Sequence, residues 1–121
     1  MWCRGIRGAT TVSENTRDAI VAASKELLQE MVEANDVKVD DVTCVFFTAT
    51  TDLDAAFPAA AARELGWYQT ALLCAQELDV PDSMPLCLRI LMLFNTQKSI
   101  GEIVHVYIRG TEGLREEPDK S

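Results

Sequence analysis

Arg89 is the residue of this chain whose surroundings most strongly suggest chemistry. It is the one charge in the apolar run from Leu86 to Phe94. A guanidinium keeps its proton, and an unpaired charge is costly to bury, so Arg89 must face solvent, an internal carboxylate or an external anion. Apolar residues otherwise alternate onto both faces of the run, which predicts a strand buried on both sides and favours the bound anion. All three alternatives stay open at this point.

Four further polar groups lie in or near predicted strand and helix ends. They are Arg7, Arg63, Glu77 and Tyr107. Arginine suits bidentate recognition of carboxylates better than lysine does. Three arginines, one carboxylate and one phenol would together recognise a small molecule that carries several negative charges and a hydroxyl group.

No pair of a nucleophile and a base is apparent in the chain. Cys74 has no histidine near it in sequence, and His105 is the only histidine. Covalent or acid/base catalysis is therefore poorly supported.

The four cysteines predict neither a metal site nor a disulfide. All fall in apolar, strand-like segments without a close-spaced pair, and there is one histidine to join them. The chain also lacks a glycine loop of the kind that cradles phosphate. We therefore expect no cofactor, and free thiols in a reducing cytoplasm.

Composition narrows the class of partner. A chain of 121 residues predicts one domain, and its net charge of −8 argues against a nucleic-acid partner. The chain has no uninterrupted apolar run of membrane-spanning length, so we expect no membrane partner.

The pattern of apolar residues predicts five strands and two main helices. Their predicted bounds are a strand over 2–7 ended by Gly8, a helix capped by Ser13 or Asn15 and ended by Asn35, a strand over 42–49, a short helix over 59–65, and strands over 70–75, 86–94 and 104–108. Residues 111–121 predict a polar tail. This is a single mixed α/β or α+β domain, with too few helices to cover a sheet that is apolar on both faces, so self-association is expected.

The order of short motifs resembles a known family, the chorismate mutases of the small trimeric barrel class. The motifs are RGIRGATT (4–11), ATTDL (49–53), FPA (57–59), REL (63–65), CAQELDV (74–80), CLR (87–89) and HVY (105–107). The likeness runs in unbroken order from residue 1 to about 115.

The resemblance implies both a fold and a function. The fold is α+β, with a five-stranded mixed sheet and two main helices per subunit, packed as a trimeric pseudo-barrel. The domain spans 1–115, followed by a polar, disordered tail over 116–121. The activity is the rearrangement of chorismate to prephenate in aromatic amino acid biosynthesis, in a homotrimer whose sites lie at subunit interfaces. That reaction needs no nucleophile.

The resemblance also implies roles for individual residues. Arg89 faces the ether oxygen of the substrate, Glu77 accepts a hydrogen bond from the ring hydroxyl, and Arg7 and Tyr107 hold a carboxylate. The other implied pocket residues are Leu73, Cys74, Ala75 and Gln76, then Phe57 and Arg63 from the adjacent subunit together with Ala59, and Leu114 and Arg115, which close over the ligand.

Two competing functions remain at this level. A related trimeric fold hydrolyses imines and enamines, but it leaves the combination of Arg7, Glu77 and Tyr107 unexplained. A non-catalytic module that binds an acid of the aromatic pathway would use similar residues, since binding alone does not require preference for a transition state.

Overall fold

The computed structural model describes residues 1–116, with side chains as far as residue 114. The strands are β1 (Trp2–Thr11), β2 (Val42–Ala49), β3 (Ala71–Gln76), β4 (Cys87–Thr96) and β5 (Val106–Tyr107). The helices are α1 (Arg17–Ala34), α2 (Ala60–Glu64) and α3 (Glu112–Glu116), and short 3₁₀ turns lie at Val39–Asp41 and Ile100–Glu102.

The five strands form one mixed sheet in the order β3-β2-β4-β1-β5. The central strand β4 runs antiparallel to both of its neighbours, β2 and β1. The two outer strands are parallel to the strands beside them. This confirms the predicted five-stranded mixed sheet and the α+β class.

One face of the sheet is covered by α1. The predicted helical stripe is present, since Ile20, Leu27 and Met31 are all fully buried. Alternate residues of β4 meet this helix and are likewise buried: Leu88, Ile90, Met92 and Phe94. The main hydrophobic core of the chain therefore lies between α1 and this covered face.

The other face of the sheet, which we call the open face, is only partly shielded. Leu91 of β4 is 39% exposed and Leu73 of β3 is 57% exposed. The prediction that β4 is buried on both sides is therefore wrong for the single chain. An alternating pattern of apolar residues predicts that a face of the strand is apolar. It does not predict whether residues of the same chain cover that face.

The start of α1 differs from the predicted cap. Thr16 is the N-cap, and its hydroxyl accepts a hydrogen bond from the Ala19 N–H at 3.2 Å. Asn15 instead uses its side-chain oxygen to accept the N–H groups of Asp54 and Ala55, at 3.0 and 3.1 Å. The predicted end at Asn35 is confirmed as the C-cap.

Gly8 does not end β1, which continues to Thr11. A Cβ atom at Gly8 would lie 2.4 Å from Met31 Sδ and 3.1 Å from Leu27 Cδ1. The glycine therefore allows α1 to approach the sheet closely within the strand.

Regular structure continues beyond residue 111, where the sequence pattern predicted the polar tail to begin. The segment predicted as a tail from residue 111 instead begins with a buried threonine, whose hydroxyl donates to the Ala9 carbonyl at 3.0 Å. It then forms α3, while β5 is shorter than predicted, with two residues. The expected tail over 116–121 falls mostly outside the described residues.

We predict that Gly8→Ala lowers the free energy of unfolding by about 1–3 kcal/mol, because two buried side chains would have to move to admit the methyl group. Gly101→Ala is the matched control, since nothing lies within 4 Å of its Cβ position. Urea unfolding of the two variants measures the difference. Equal stability of both would contradict the close approach of α1 at Gly8.

Candidate active site

A single row of paired residues crosses the open face from edge to edge. Ala75 pairs with Thr48, Thr48 with Arg89, Arg89 with Ala9, and Ala9 with Tyr107. Side chains of residues that pair directly across strands lie on the same face of a sheet. The register thus places Arg89 at the centre of the open face, between a hydroxyl and a phenol.

Arg7 lies on the same face, one row away. It pairs with Leu91, so it is a diagonal neighbour of Arg89, at a spacing that is typically about 7–8 Å between Cα atoms. Its backbone N–H donates to Nδ1 of His105 at 2.9 Å. Two arginines therefore lie on one face as diagonal neighbours, a pattern that suits a small ligand with two negative groups.

Glu77 follows directly after β3 and reaches back over the same face. Its backbone N–H donates to the Ala49 carbonyl at 2.9 Å, which continues the pairing of β3 with β2 by one residue. Its side-chain oxygen Oε2 accepts a hydrogen bond from the hydroxyl of Thr48 and lies 3.6 Å from Nε of Arg89. The internal ion pair left open by the sequence is thus present.

The contact between Glu77 and Arg89 is loose. Charge-assisted hydrogen bonds between guanidinium and carboxylate are about 2.7–2.9 Å, well below the 3.6 Å seen here. The side chains of Arg89 and Glu77 remain 25% and 24% exposed. Each charge therefore has the other nearby, yet both line the wall of an accessible cleft.

That cleft has a volume of about 450 Å³, within the range of small-molecule sites. Arg89, Glu77 and Cys87 line one side, and the loop over residues 78–85 lines the other. Leu114 of α3 completes the wall, 4% exposed, packed against Ala9 and Cys87. The structure thus places Leu114 beside Arg89 and Glu77 in the lining of the cleft. Arg115 is also in α3, but its side chain is outside the described part of the chain.

A second hollow of about 540 Å³ lies beside this cleft. It contains four of the predicted pocket residues, Phe57, Cys74, Ala75 and Gln76. Cys74 pairs with Phe47 and so points to the covered face, away from Arg89. Phe57 is 74% exposed. Thr50 lines both hollows, so they adjoin each other at the end of β2.

The remaining predicted residues are more distant from the charged pair. Leu73 lies on the open face, whereas Ala59 is buried in the core. Arg63 is an exposed residue of α2, and α2 packs against α1 on the covered side of the sheet. Within one chain Arg63 and Arg89 therefore lie on opposite sides of the sheet.

Hydrogen bonds to Asp52 join two segments beside the cleft. Its carboxylate accepts the Thr50 hydroxyl at 2.5 Å and the Leu86 N–H at 2.9 Å. Desolvation raises the pKa of Asp52, but the hydrogen bonds from Thr50, from Leu86 and from its own backbone together outweigh it, so the net pKa lies below the ordinary value. The carboxylate is therefore ionised at neutral pH and ties the loop after β2 to the start of β4.

Cys87 is the thiol nearest to the charged pair. Burial raises its pKa, and the neighbouring Arg89 guanidinium offsets this only in part. A thiol with a raised pKa is a poor nucleophile. The cleft therefore presents charges and hydrogen-bond donors, and its buried sulfur is not activated.

The described residues contain neither a cluster of metal ligands nor a membrane-spanning helix. None of their histidine, cysteine, aspartate and glutamate side chains form a group of three that could hold a metal ion. No helix within residues 1–116 is long and apolar enough to cross a membrane.

Thr48 is the residue of this site that the sequence analysis missed. Its signal was weak, because a hydroxyl at the end of an alternating strand is common in sheets. Only the register, which pairs Thr48 with Arg89, reveals its place beside the charges.

Comparison with known proteins agrees with this geometry. The profile of the family described as chorismate mutase type I matches residues 3–118. The chain belongs to this family. Membership makes the protein a chorismate mutase, which is an isomerase, and leaves the imine-hydrolysing and non-catalytic alternatives unsupported.

Individual relatives are similar over nearly the whole chain. The chorismate mutase AroH of Thermus thermophilus is 47% identical over 96% of this chain and 94% of its own length. The chorismate mutase AroH of Bacillus subtilis is 43% identical over 100% of this chain and 94% of its own. A chorismate mutase structure from Clostridium thermocellum superposes with a TM-score of 0.90 at 53% identity, covering 94% of this chain and 100% of that one.

We predict that Cys87 reacts much more slowly than Cys3 with a thiol reagent at neutral pH. Cys3 is exposed, whereas Cys87 is buried and its pKa is raised, so it carries less thiolate. Labelling of Cys3→Ser and Cys87→Ser variants, followed by mass spectrometry, assigns each rate. Comparable rates for the two thiols would contradict the burial of Cys87.

Proposed function

We propose that this chain converts chorismate to prephenate in the cleft that Arg89 and Glu77 line, with no covalent or acid/base step. The observation that carries the proposal is the pairing of opposite charges, a guanidinium and a carboxylate, on one wall of a cleft of small-molecule size. The rearrangement breaks an ether C–O bond as a C–C bond forms, and charge separates between the two fragments in the transition state. A site for this reaction needs fixed charges and a shape that holds the compact conformer of the substrate.

Arg89 is the group that meets the negative charge on the ether oxygen. It projects from the central strand of the sheet, so its base is held by strands on both sides. A donor that is already in place when charge develops requires no reorganisation, and removal of such donors costs about 2.7–4 kcal/mol in other enzymes.

Glu77 takes the opposite role. Its carboxylate accepts the hydrogen bond of the substrate's ring hydroxyl and steadies the positive charge that grows on the ring fragment. The ion pair with Arg89 does not oppose this, because its 3.6 Å separation is longer than the roughly 2.7–2.9 Å of a charge-assisted hydrogen bond. Substrate can therefore separate the two charges at little cost.

Arg7 and Tyr107 bind a substrate carboxylate in this proposal. Both lie on the open face, near Arg89 in the sheet. Their local positive field has to attract a dianion against a net charge of −8. The raised pKa of Cys87 is consistent with a site that uses no nucleophile.

We further propose that the enzyme is a homotrimer with its sites at subunit interfaces. Three features support it: the exposed apolar residues of the open face, the unpaired edge of β3, and the place of Arg63 on the far side of the sheet from Arg89. In an interface site, Phe57 and Arg63 of one subunit approach the cleft of the next. Ala59, being buried, supports their segment from below.

Leu73, Cys74, Ala75 and Gln76 belong to the strand that leads to Glu77, and we propose that their backbone lines the same pocket. Leu114 and Arg115 close it from α3. We place the enzyme in the cytoplasm, and its four free cysteines suit a reducing compartment.

We predict that Arg89→Gln lowers kcat for the rearrangement by at least about 10²-fold while the fold stays intact, because the developing negative charge loses its partner. The kcat of Arg89→Lys should lie between those of the wild type and Arg89→Gln, since lysine keeps the charge but lacks the forked geometry. Loss of chorismate absorbance measures turnover. Near-normal turnover by Arg89→Gln would reject Arg89 as the catalytic cation.

Subunit mixing tests the interface site. Arg89→Gln and Arg63→Ala chains are each expected to be strongly impaired, but mixed trimers refolded from a 1:1 mixture should contain intact sites, about one quarter of the total for random assembly. Activity should therefore recover to roughly that fraction of wild type. The control is the same mixture without unfolding and exchange. If the activity of the refolded mixture is no greater than the sum of the activities of the two variants, a site shared between subunits is contradicted.

A further inference from the structure

We propose that Thr48 is a positioning residue for this reaction, whose hydroxyl fixes the carboxylate of Glu77 beside Arg89 in the orientation that the transition state requires. The inference rests on the proposed function of the cleft. It assigns to β2 a part in the chemistry that neither the motifs nor the comparisons assign to it.

The first argument is the place of Thr48 in the sheet. It pairs directly with Arg89 on one side and with Ala75 on the other, so its side chain lies on the open face between the central strand and the strand that carries Glu77. Its hydroxyl donates to Oε2 of Glu77. The next residue of β2, Ala49, accepts the backbone N–H of Glu77 at 2.9 Å. Two consecutive residues of one strand thus hold both the backbone and the side chain of Glu77.

The second argument is that one oxygen serves two neighbours. Oε2 of Glu77 accepts the Thr48 hydroxyl and also lies 3.6 Å from Nε of Arg89. A carboxylate facing a guanidinium ordinarily forms forked hydrogen bonds at about 2.7–2.9 Å. The Thr48 hydroxyl bonds to Oε2 of Glu77, one of the two oxygens that a forked pair with Arg89 would use. Thr48 therefore holds the carboxylate at ion-pair range from Arg89, short of a forked pair.

Loss of the Thr48 hydroxyl would change the energy of the site before substrate binds. Without the hydroxyl, Oε2 loses a donor, and rotation of the Glu77 side chain toward Arg89 becomes the favourable way to replace it. A forked pair would have to be broken before either charge could meet the charges of the transition state. Substrate carboxylates bind elsewhere, at Arg7 and Tyr107, so the loss should be expressed in kcat more than in KM.

The experiment compares Thr48→Val, Thr48→Ser and Thr43→Val by steady-state kinetics with chorismate. We expect Thr48→Val to lower kcat by about tenfold with KM changed less than about twofold, which is the scale of one hydrogen bond to a charged group. Thr48→Ser keeps the hydroxyl and should stay near wild type. Thr43 is an exposed threonine of the same strand, so Thr43→Val controls for the loss of a hydroxyl from β2.

A double-mutant comparison separates positioning from a general effect on the strand. If Thr48 acts through Glu77, then Thr48→Val has no further effect on kcat in a Glu77→Ala background. An equal loss in both backgrounds would overturn the proposal, as would wild-type kcat in Thr48→Val. A kcat loss in Thr48→Ser as large as in Thr48→Val would also overturn it, because the hydroxyl is then not the group that matters.

These outcomes are distinct from failure of the proposed function. If the wild-type protein does not consume chorismate, the proposed function is wrong. If it does consume chorismate, but Thr48→Val and Thr43→Val have the same kcat, then only the proposed role of Thr48 is wrong. Circular dichroism and thermal unfolding check each variant. Should Thr48→Val fail to fold, Thr48→Ala removes the same hydroxyl without adding a second methyl group and is judged by the same criteria.

Discussion

The site depends on two opposite charges that stand close together without neutralising each other fully. Arg89 and Glu77 lie 3.6 Å apart, each about one quarter exposed, on an otherwise apolar face. Full burial would make the pair too costly to open, and full exposure would let water and salt screen it. Partial burial at an intermediate distance keeps both charges strong and lets the pair separate when a polar ligand binds.

The sheet produces this arrangement through its register. β4 is central, so the strands beside it bring Thr48 and Ala9 against Arg89, and the next strands out bring Ala75 and Tyr107. A slip of one residue in any pairing would send its side chains to the covered face. The tight contact of Gly8 with α1 and the hydrogen bonds of Asp52 both oppose such slips. The contacts that stabilise the register therefore also maintain the geometry of the site.

Sequence patterns predicted the strands and helices well, because each has its own periodicity and caps, and the motifs singled out Arg89 and Glu77, which the structure places together on one wall of a cleft. They failed where a long-range contact decides the outcome. Gly8 was expected to end β1, but its role depends on Met31, which is distant in sequence. The cap at Thr16 depends on Asn15 being engaged by the loop that holds Asp54. Thr48 had only a weak local signal, since pairing across the sheet gives it its neighbours.

The same limit applies to the residues that one chain does not bring together. Arg63 stands on α2 on the covered side of the sheet, and Phe57 projects 74% exposed from the loop before it. An exposed phenylalanine beside an exposed apolar sheet face is unfavourable in water unless another surface covers both. A neighbouring copy that covers the open face would bury Phe57, add an arginine opposite Arg89 and exclude water from the charged pair. Assembly would then strengthen every electrostatic interaction in the cleft, so the same contact that stabilises the oligomer would also complete the catalyst.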